Sequence, residues 1–236
     1  KMPGCVCLLP TVTEMNYEQA RFNMIEQQIR PWDVLDQEVL NLLKLVKREE
    51  FVPTAQRALA FTDVELPLTG AAIADKSQHM MFPRVEARIL QALAPKKNEN
   101  VLEIGTGSGY MAALLAYNAH HVTTLEFDAN LAQTAQQTLR ANGVTNVEVV
   151  NADGAQGWSA AAPYDVIAIS GALAELPQAF LDQLKVGGRL AAFIGGSPVM
   201  EAKLITRLSE TEYRSENLFE TQVAYLVAPQ PSSFKF

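Results

Sequence analysis

Three glycines alternate in VLEIGTGSGY, residues 101–110, directly after a β-branched run and directly before a helical pattern. Gly105, Gly107 and Gly109 permit positive φ and close backbone approach. The helix that follows opens with N–H groups that have no acceptor within the helix, and these suit a polar or anionic ligand group. A glycine pattern alone is a weak signal; its strand–turn–helix setting makes it a candidate nucleotide loop. Three acids accompany it. Glu103 stands just before the first glycine, Glu126 closes the run HVTTLE, and Asp153-Gly154 follows the run NVEVVN.

The loop's spacing narrows the ligand. A dinucleotide loop reads G-x-G-x-x-G and seats a pyrophosphate. Here the spacing is G-x-G-x-G, and the Glu103 carboxylate would repel a pyrophosphate while suiting an amino group. S-adenosylmethionine carries an amino group, a carboxylate and a sulfonium, and no phosphate. Glu126 is expected to accept from both ribose hydroxyls, against the alternative of a solvated strand-end acid. Asp153 can accept from the adenine amino group, although Asp-Gly is also an ordinary turn pair. The candidate cofactor set is Glu103, Gly105, Thr106, Gly107, Gly109, Glu126, Phe127, Asp153 and Gly154. No metal site is expected: His79, His120 and His121 are scattered, and Cys5 and Cys7 are too close for an ordinary disulfide or a complete zinc site.

Parallel strands must hold these acids together. NVLEIG, HVTTLEF, NVEVVNAD, YDVIAISG and GRLAAFIG are short β-branched runs separated by helical patterns. This alternation predicts an α/β, Rossmann-like, doubly wound sheet with the acids at strand carboxyl ends. The tail, KLITRLSETEYRSENLFETQVAYLVAP, predicts an antiparallel pair around a polar turn. Ahead of the sheet, residues 17–48 read as two helices split at Pro31-Trp32, with Val39, Leu42, Leu43 and Val46 on one face. RVEARILQALA (84–94) is helical, with Val85, Ile89 and Leu93 one turn apart. Trp32 and Trp158 read as packing residues. The division expected is an extension over residues 1–14, an N-terminal helical unit with an active-site loop over 15–83, and the ligand-binding core over 84–236, all in one compact domain.

Composition excludes some classes. The 236 residues carry a net charge of −7, which disfavours a nucleic-acid partner. Apolar residues make up 48%, but no run reaches the roughly 18–20 that a membrane span needs. The N-terminus lacks the long apolar core of a signal peptide, so the expected location is the cytoplasm.

From about Tyr17 onward the chain resembles the protein-L-isoaspartate O-methyltransferase family. The matching segments are RFNMIEQQIRPWDVLDQEVL, REEFVP, LEIGTGSGY, NADGAQGW, APYDVIAISGA and QLKVGGRLA. The resemblance implies a seven-stranded class I methyltransferase fold. It also implies methyl transfer from S-adenosylmethionine to isoaspartyl carboxylates in damaged proteins. The active-site loop departs from the family's P-I-G-x-G-Q-T-I-S-x-P. Aligned without a gap, QHMMFP (78–83) places His79 at the threonine, Met80 at the isoleucine and Met81 at the serine usually assigned a catalytic role. A shifted alignment would put Ser77 there instead. Ala224 stands where the family has arginine, and Ser170-Gly171-Ala172 replaces Thr-Ala-Ala. Ser77, His79 and Met81 are therefore the catalytic candidates, with His79 either a general base or a structural hydrogen-bonder. Three readings stay open: an isoaspartyl methyltransferase, a family member retargeted to a small-molecule acceptor, and a non-catalytic cofactor-binding protein.

Overall fold

The computed structural model describes residues 16–68, 78–196 and 198–226. Residues 1–14 and the candidate Ser77 lie outside them. The N-terminal unit begins with α1 (Tyr17–Met24), whose first turn is capped by the Asn16 side chain accepting the Gln19 N–H at 3.1 Å. The helix runs on through a π turn (Ile25–Ile29) and a 3-10 turn (Arg30–Trp32) and stops at Asp33, φ 62°. Asp36 then caps α2 (Gln37–Leu45). The break thus falls at Pro31-Trp32, as expected, and Val39, Leu42 and Leu43 are buried.

Two short strands follow, β1 (Leu66–Pro67) and β2 (His79–Met80), paired antiparallel with Leu66 opposite Met80 and Pro67 opposite His79. Pro83 then opens α3 (Pro83–Leu93), where a missing N–H costs nothing. Val85, Ile89 and Leu93 are buried along its inner face.

The core alternates β3 (Asn100–Ile104), α4 (Tyr110–Asn118), β4 (His121–Glu126), α5 (Ala129–Ala141), β5 (Val147–Asn151), β6 (Tyr164–Leu173), α6 (Gln178–Asp182), β7 (Leu184–Gly196), β8 (Val199–Arg207) and β9 (Tyr213–Thr221). The sheet order is β5-β4-β3-β6-β7-β8-β9. The first five strands in that order are parallel; β8 and β9 are antiparallel, as the tail's two runs predict. After β5 the chain crosses back to lay β6 beside β3. The carboxyl ends of β3, β4 and β6 therefore flank the point where the strand order reverses, the usual ligand crevice of an open α/β sheet.

One continuous apolar cluster joins the N-terminal helices to α3, α4 and one face of the sheet. Buried ion pairs lie at this junction. Arg21 pairs with Glu49, and Arg48 with Glu86 of α3; all four side chains are nearly inaccessible. Among the described residues no helix is long and apolar enough to cross a membrane.

Candidate active site

A cleft opens over the carboxyl ends of β3, β4 and β6, with about 900 Å³ of empty space counted to its solvent mouth. Its floor is the glycine loop. Gly105, Gly107 and Gly109 have φ of 89°, 51° and 82°, values that cost other residues about 1–2 kcal/mol. The Gly105 and Thr106 N–H groups both donate to the Leu125 carbonyl, at 2.9 and 3.1 Å, and this locks the loop to β4.

Gly105, Gly107, Glu126, Phe127, Asp153 and Gly154 all line the cleft. Glu126, only 8% exposed, accepts the Gly107 N–H at 2.8 Å on one oxygen and the Asp128 N–H at 3.0 Å on the other. An ionised carboxylate offers about four lone-pair sites, so acceptor capacity remains for a ligand. Phe127 exposes 44% of its surface beside it. Asp153 makes the turn its Asp-Gly sequence suggests, accepting the Ala155 N–H at 2.9 Å, while still facing the cleft. A side chain at Gly154 would meet the Ile104 side chain at 2.8 Å, so Ile104 would have to shift to admit one.

The other three candidates sit behind the wall. Glu103 is 0% exposed and does not face the cleft. Strand alternation turns it to the same face as Val101, into the layer beneath the helices. There Thr124 donates to it at 2.6 Å and Ser170 at 3.0 Å. Burial pushes the Glu103 carboxyl up to about 8, although both hydroxyls oppose the shift. The expectation that Glu103 meets a ligand amino group is thus corrected: Ser170, which lines the cleft, stands between Glu103 and the cleft. Thr106 also turns inward, its hydroxyl 2.7 Å from that of Thr124. Gly109 closes the loop at the N-cap of α4, against Leu139.

The segment QHMMFP divides. Gln78 and His79 line the cleft, and Gln78 reaches Asp128 at 3.4 Å. Met80 and Met81 are buried in the apolar cluster, 3% and 7% exposed. Met81 as a catalytic candidate is therefore corrected: its apolar side chain packs inward as the chain turns into α3, and only its carbonyl is used, by Arg48. Leu68, Asp128 and Leu226 line the cleft without being singled out by the sequence. Leu68 overlies Gly107, and Leu226 overlies Gly105 and Gly171. Asp128 has a signal as the N-cap of α5, but that signal announces a helix rather than a ligand. The Ala172 N–H donates to the Ala224 carbonyl at 2.8 Å, which stitches the run 223–226 to the end of β6.

Three carboxylates, Glu126, Asp128 and Asp153, line the cleft, and no lysine or arginine does so among the described residues. This environment opposes a polyphosphate and favours a ligand with hydroxyls, amino groups or a positive centre. Among the described residues no cluster of three or more His, Cys, Asp or Glu is placed to hold a metal ion.

The family model described as protein-L-isoaspartate(D-aspartate) O-methyltransferase matches residues 19–230. A protein-L-isoaspartate O-methyltransferase of Rhodopseudomonas palustris is 38% identical over 208 residues, covering 88% of this chain and 93% of its own. One from Herpetosiphon aurantiacus is 42% identical over 179 residues, covering 76% and 77%. A solved protein-L-isoaspartate O-methyltransferase superposes with a TM-score of 0.74 at 23% identity, covering 90% of this chain and 66% of that one. A Plasmodium falciparum structure described as a putative member, in complex with S-adenosyl-L-homocysteine, superposes at 0.71 with 18% identity, covering 91% and 99%.

Proposed function

The chain belongs to the protein-L-isoaspartate O-methyltransferase family, and from that premise we propose that it is an S-adenosylmethionine-dependent methyltransferase acting on isoaspartyl carboxylates of damaged proteins or peptides in the cytoplasm. One observation carries the cofactor reading: Glu126, held against the glycine loop, looks into a cleft lined by three carboxylates and, among the described residues, by no lysine or arginine. The residues present fit the group. Glu126 would accept from the ribose hydroxyls, Phe127 would offer a ring face to the adenine, Asp153 would accept from the adenine amino group, and the glycine loop would admit close approach. Acidic walls favour the positive sulfonium.

When bound, S-adenosylmethionine supplies the activated methyl group. The protein's task is placement. A carboxylate acceptor is already ionised at neutral pH, so no general base is required, and holding the two reacting atoms in line accounts for most of the acceleration. Gln78 and His79, on the hairpin above Gly107, are the polar groups on the acceptor side. His79 is best read there as an orienting hydrogen-bonder for the acceptor.

A second reading, a family member with a different and less acidic acceptor, is favoured by Ala224. This residue lines the cleft at the position where the family has arginine, so a positive partner for a carboxylate is missing there. Transfer of labelled methyl to an isoaspartyl peptide, with the normal aspartyl peptide as control and calorimetry of S-adenosylhomocysteine alongside, separates the readings. Binding with transfer supports the first, binding without transfer supports the second, and absence of binding overturns both.

A further inference from the structure

Four separate parts of the fold meet at the guanidinium of Arg48, which is 1% exposed. Its Nε donates to the Ala60 carbonyl at 3.1 Å, in the N-terminal unit. One terminal nitrogen pairs with Glu86 of α3. The other donates to the Met81 carbonyl at 2.7 Å. Its face lies over the ring of Tyr110, 5.3 Å from the centroid, and Tyr110 is the first residue of α4, directly after the glycine loop.

The Met81 carbonyl lies two residues beyond His79. The ladder that carries Gln78 and His79 into the cleft is short among the described residues: Leu66 pairs with Met80, Pro67 with His79, and the Leu68 N–H donates to the Gln78 carbonyl at 3.0 Å, and so slight a ladder holds its own position weakly. The Gln78 bond to Asp128, at 3.4 Å, is long. The Arg48 bond to Met81 is shorter, buried and charge-assisted. It references the acceptor-side segment to the helix that starts at the glycine loop. A planar fork can serve Ala60, Glu86 and Met81 together, which the compact ammonium of a lysine cannot.

We infer that Arg48 is a positioning residue, which fixes segment 78–82 relative to the glycine-loop helix so that Gln78 and His79 face the acceptor at a set distance. The inference rests on the proposed methyl transfer for its consequence in rate, but not for its structural content. Arg21 is a matched comparison. It is 2% exposed and paired with Glu18 and Glu49 in the same N-terminal unit, so replacing it perturbs buried charge of the same kind at a different contact.

The test uses the full chain and the variants Arg48→Lys and Arg21→Lys. Amide hydrogen exchange is followed in the free protein, S-adenosylhomocysteine affinity by calorimetry, and kcat and KM on an isoaspartyl peptide at a temperature where both variants are folded. In Arg48→Lys, amides of residues 78–82 should exchange at least tenfold faster and kcat should fall at least tenfold, with affinity for S-adenosylhomocysteine within threefold of the parent. Arg21→Lys should lower Tm and leave both exchange at 78–82 and kcat near parental values. Unchanged exchange in Arg48→Lys, or equal acceleration in Arg21→Lys, overturns the inference. If Arg48→Lys does not fold, Glu86→Gln loosens the same fork from its other end, and exchange at 78–82 should rise at least twofold; no rise overturns the inference. A parent that leaves the peptide unmethylated defeats the isoaspartyl reading, while the exchange measurements still decide the role of Arg48.

Discussion

The carboxylate of Glu126 accepts the backbone N–H of Gly107 at 2.8 Å. One side chain thus fixes the glycine loop and faces the cleft that the loop lines. Its second oxygen holds the Asp128 N–H, and Asp128 in turn caps α5. Loop, strand end and helix start are set by two consecutive carboxylate–backbone contacts.

Glu126→Ala should weaken S-adenosylhomocysteine binding by about 1.5–3 kcal/mol, the cost of hydrogen bonds to a charged acceptor. That is roughly tenfold to a hundredfold in Kd. Calorimetry showing an unchanged Kd would remove Glu126 from the ribose.

Gly105→Ala places a side chain at φ 89° and 2.9 Å from Leu226. Strain of about 1–2 kcal/mol is expected from the backbone alone, with a matching fall in denaturant midpoint and weaker S-adenosylhomocysteine binding. A parental midpoint would mean that the loop relaxes without cost.

Buried carboxyls make stability depend on pH. Burial raises Glu103 to about 8 and Glu86 to about 7, from an ordinary value of 4.5. The folded chain then holds protons that the unfolded chain has released. Stability from these groups is full below about pH 4.5 and declines as pH rises towards 8. Glu103→Gln removes the larger of the two contributions. The Tm of this variant relative to the parent should therefore increase steadily between pH 5 and pH 8. A difference that stays flat, or falls, would show that Glu103 is ionised in the folded protein.

Ala224→Arg introduces a cation into a cleft that, among the described residues, no lysine or arginine lines. If a carboxylate is the acceptor, kcat/KM on an isoaspartyl peptide should rise about tenfold, one charge-assisted hydrogen bond's worth, with S-adenosylhomocysteine affinity little altered. A decrease would indicate that the cleft is adapted to an uncharged acceptor.

Much of this was legible in the residues. Alternating β-branched runs and helical patterns gave the parallel strands, and the change of texture in the tail gave β8 and β9. Strand-end positions gave Glu126, Phe127 and Asp153 their place in the cleft, because every parallel strand ends on the same side of the sheet. Glu103 was misread because nearness to the loop in sequence says nothing about which face of β3 it occupies; alternation decides, and it points inward. Met81 was misread for a related reason. Alignment fixes a backbone position, whereas a methionine follows the apolar side of that backbone, here the core. Leu68 and Leu226 had no signal at all, since a leucine beside a ligand cleft looks like any other leucine until distant segments meet.

The stitching of Ala224 and Leu226 to Ala172 has a consequence in time. A chain emerging from the ribosome releases its N-terminal part first, so the helical unit, the glycine loop and every strand of the sheet are available before the last wall of the cleft exists. Leu226 then closes over Gly105 from the far end of the sequence. The binding site is therefore closed only once the run after β9 is in place, later in synthesis than every strand of the sheet.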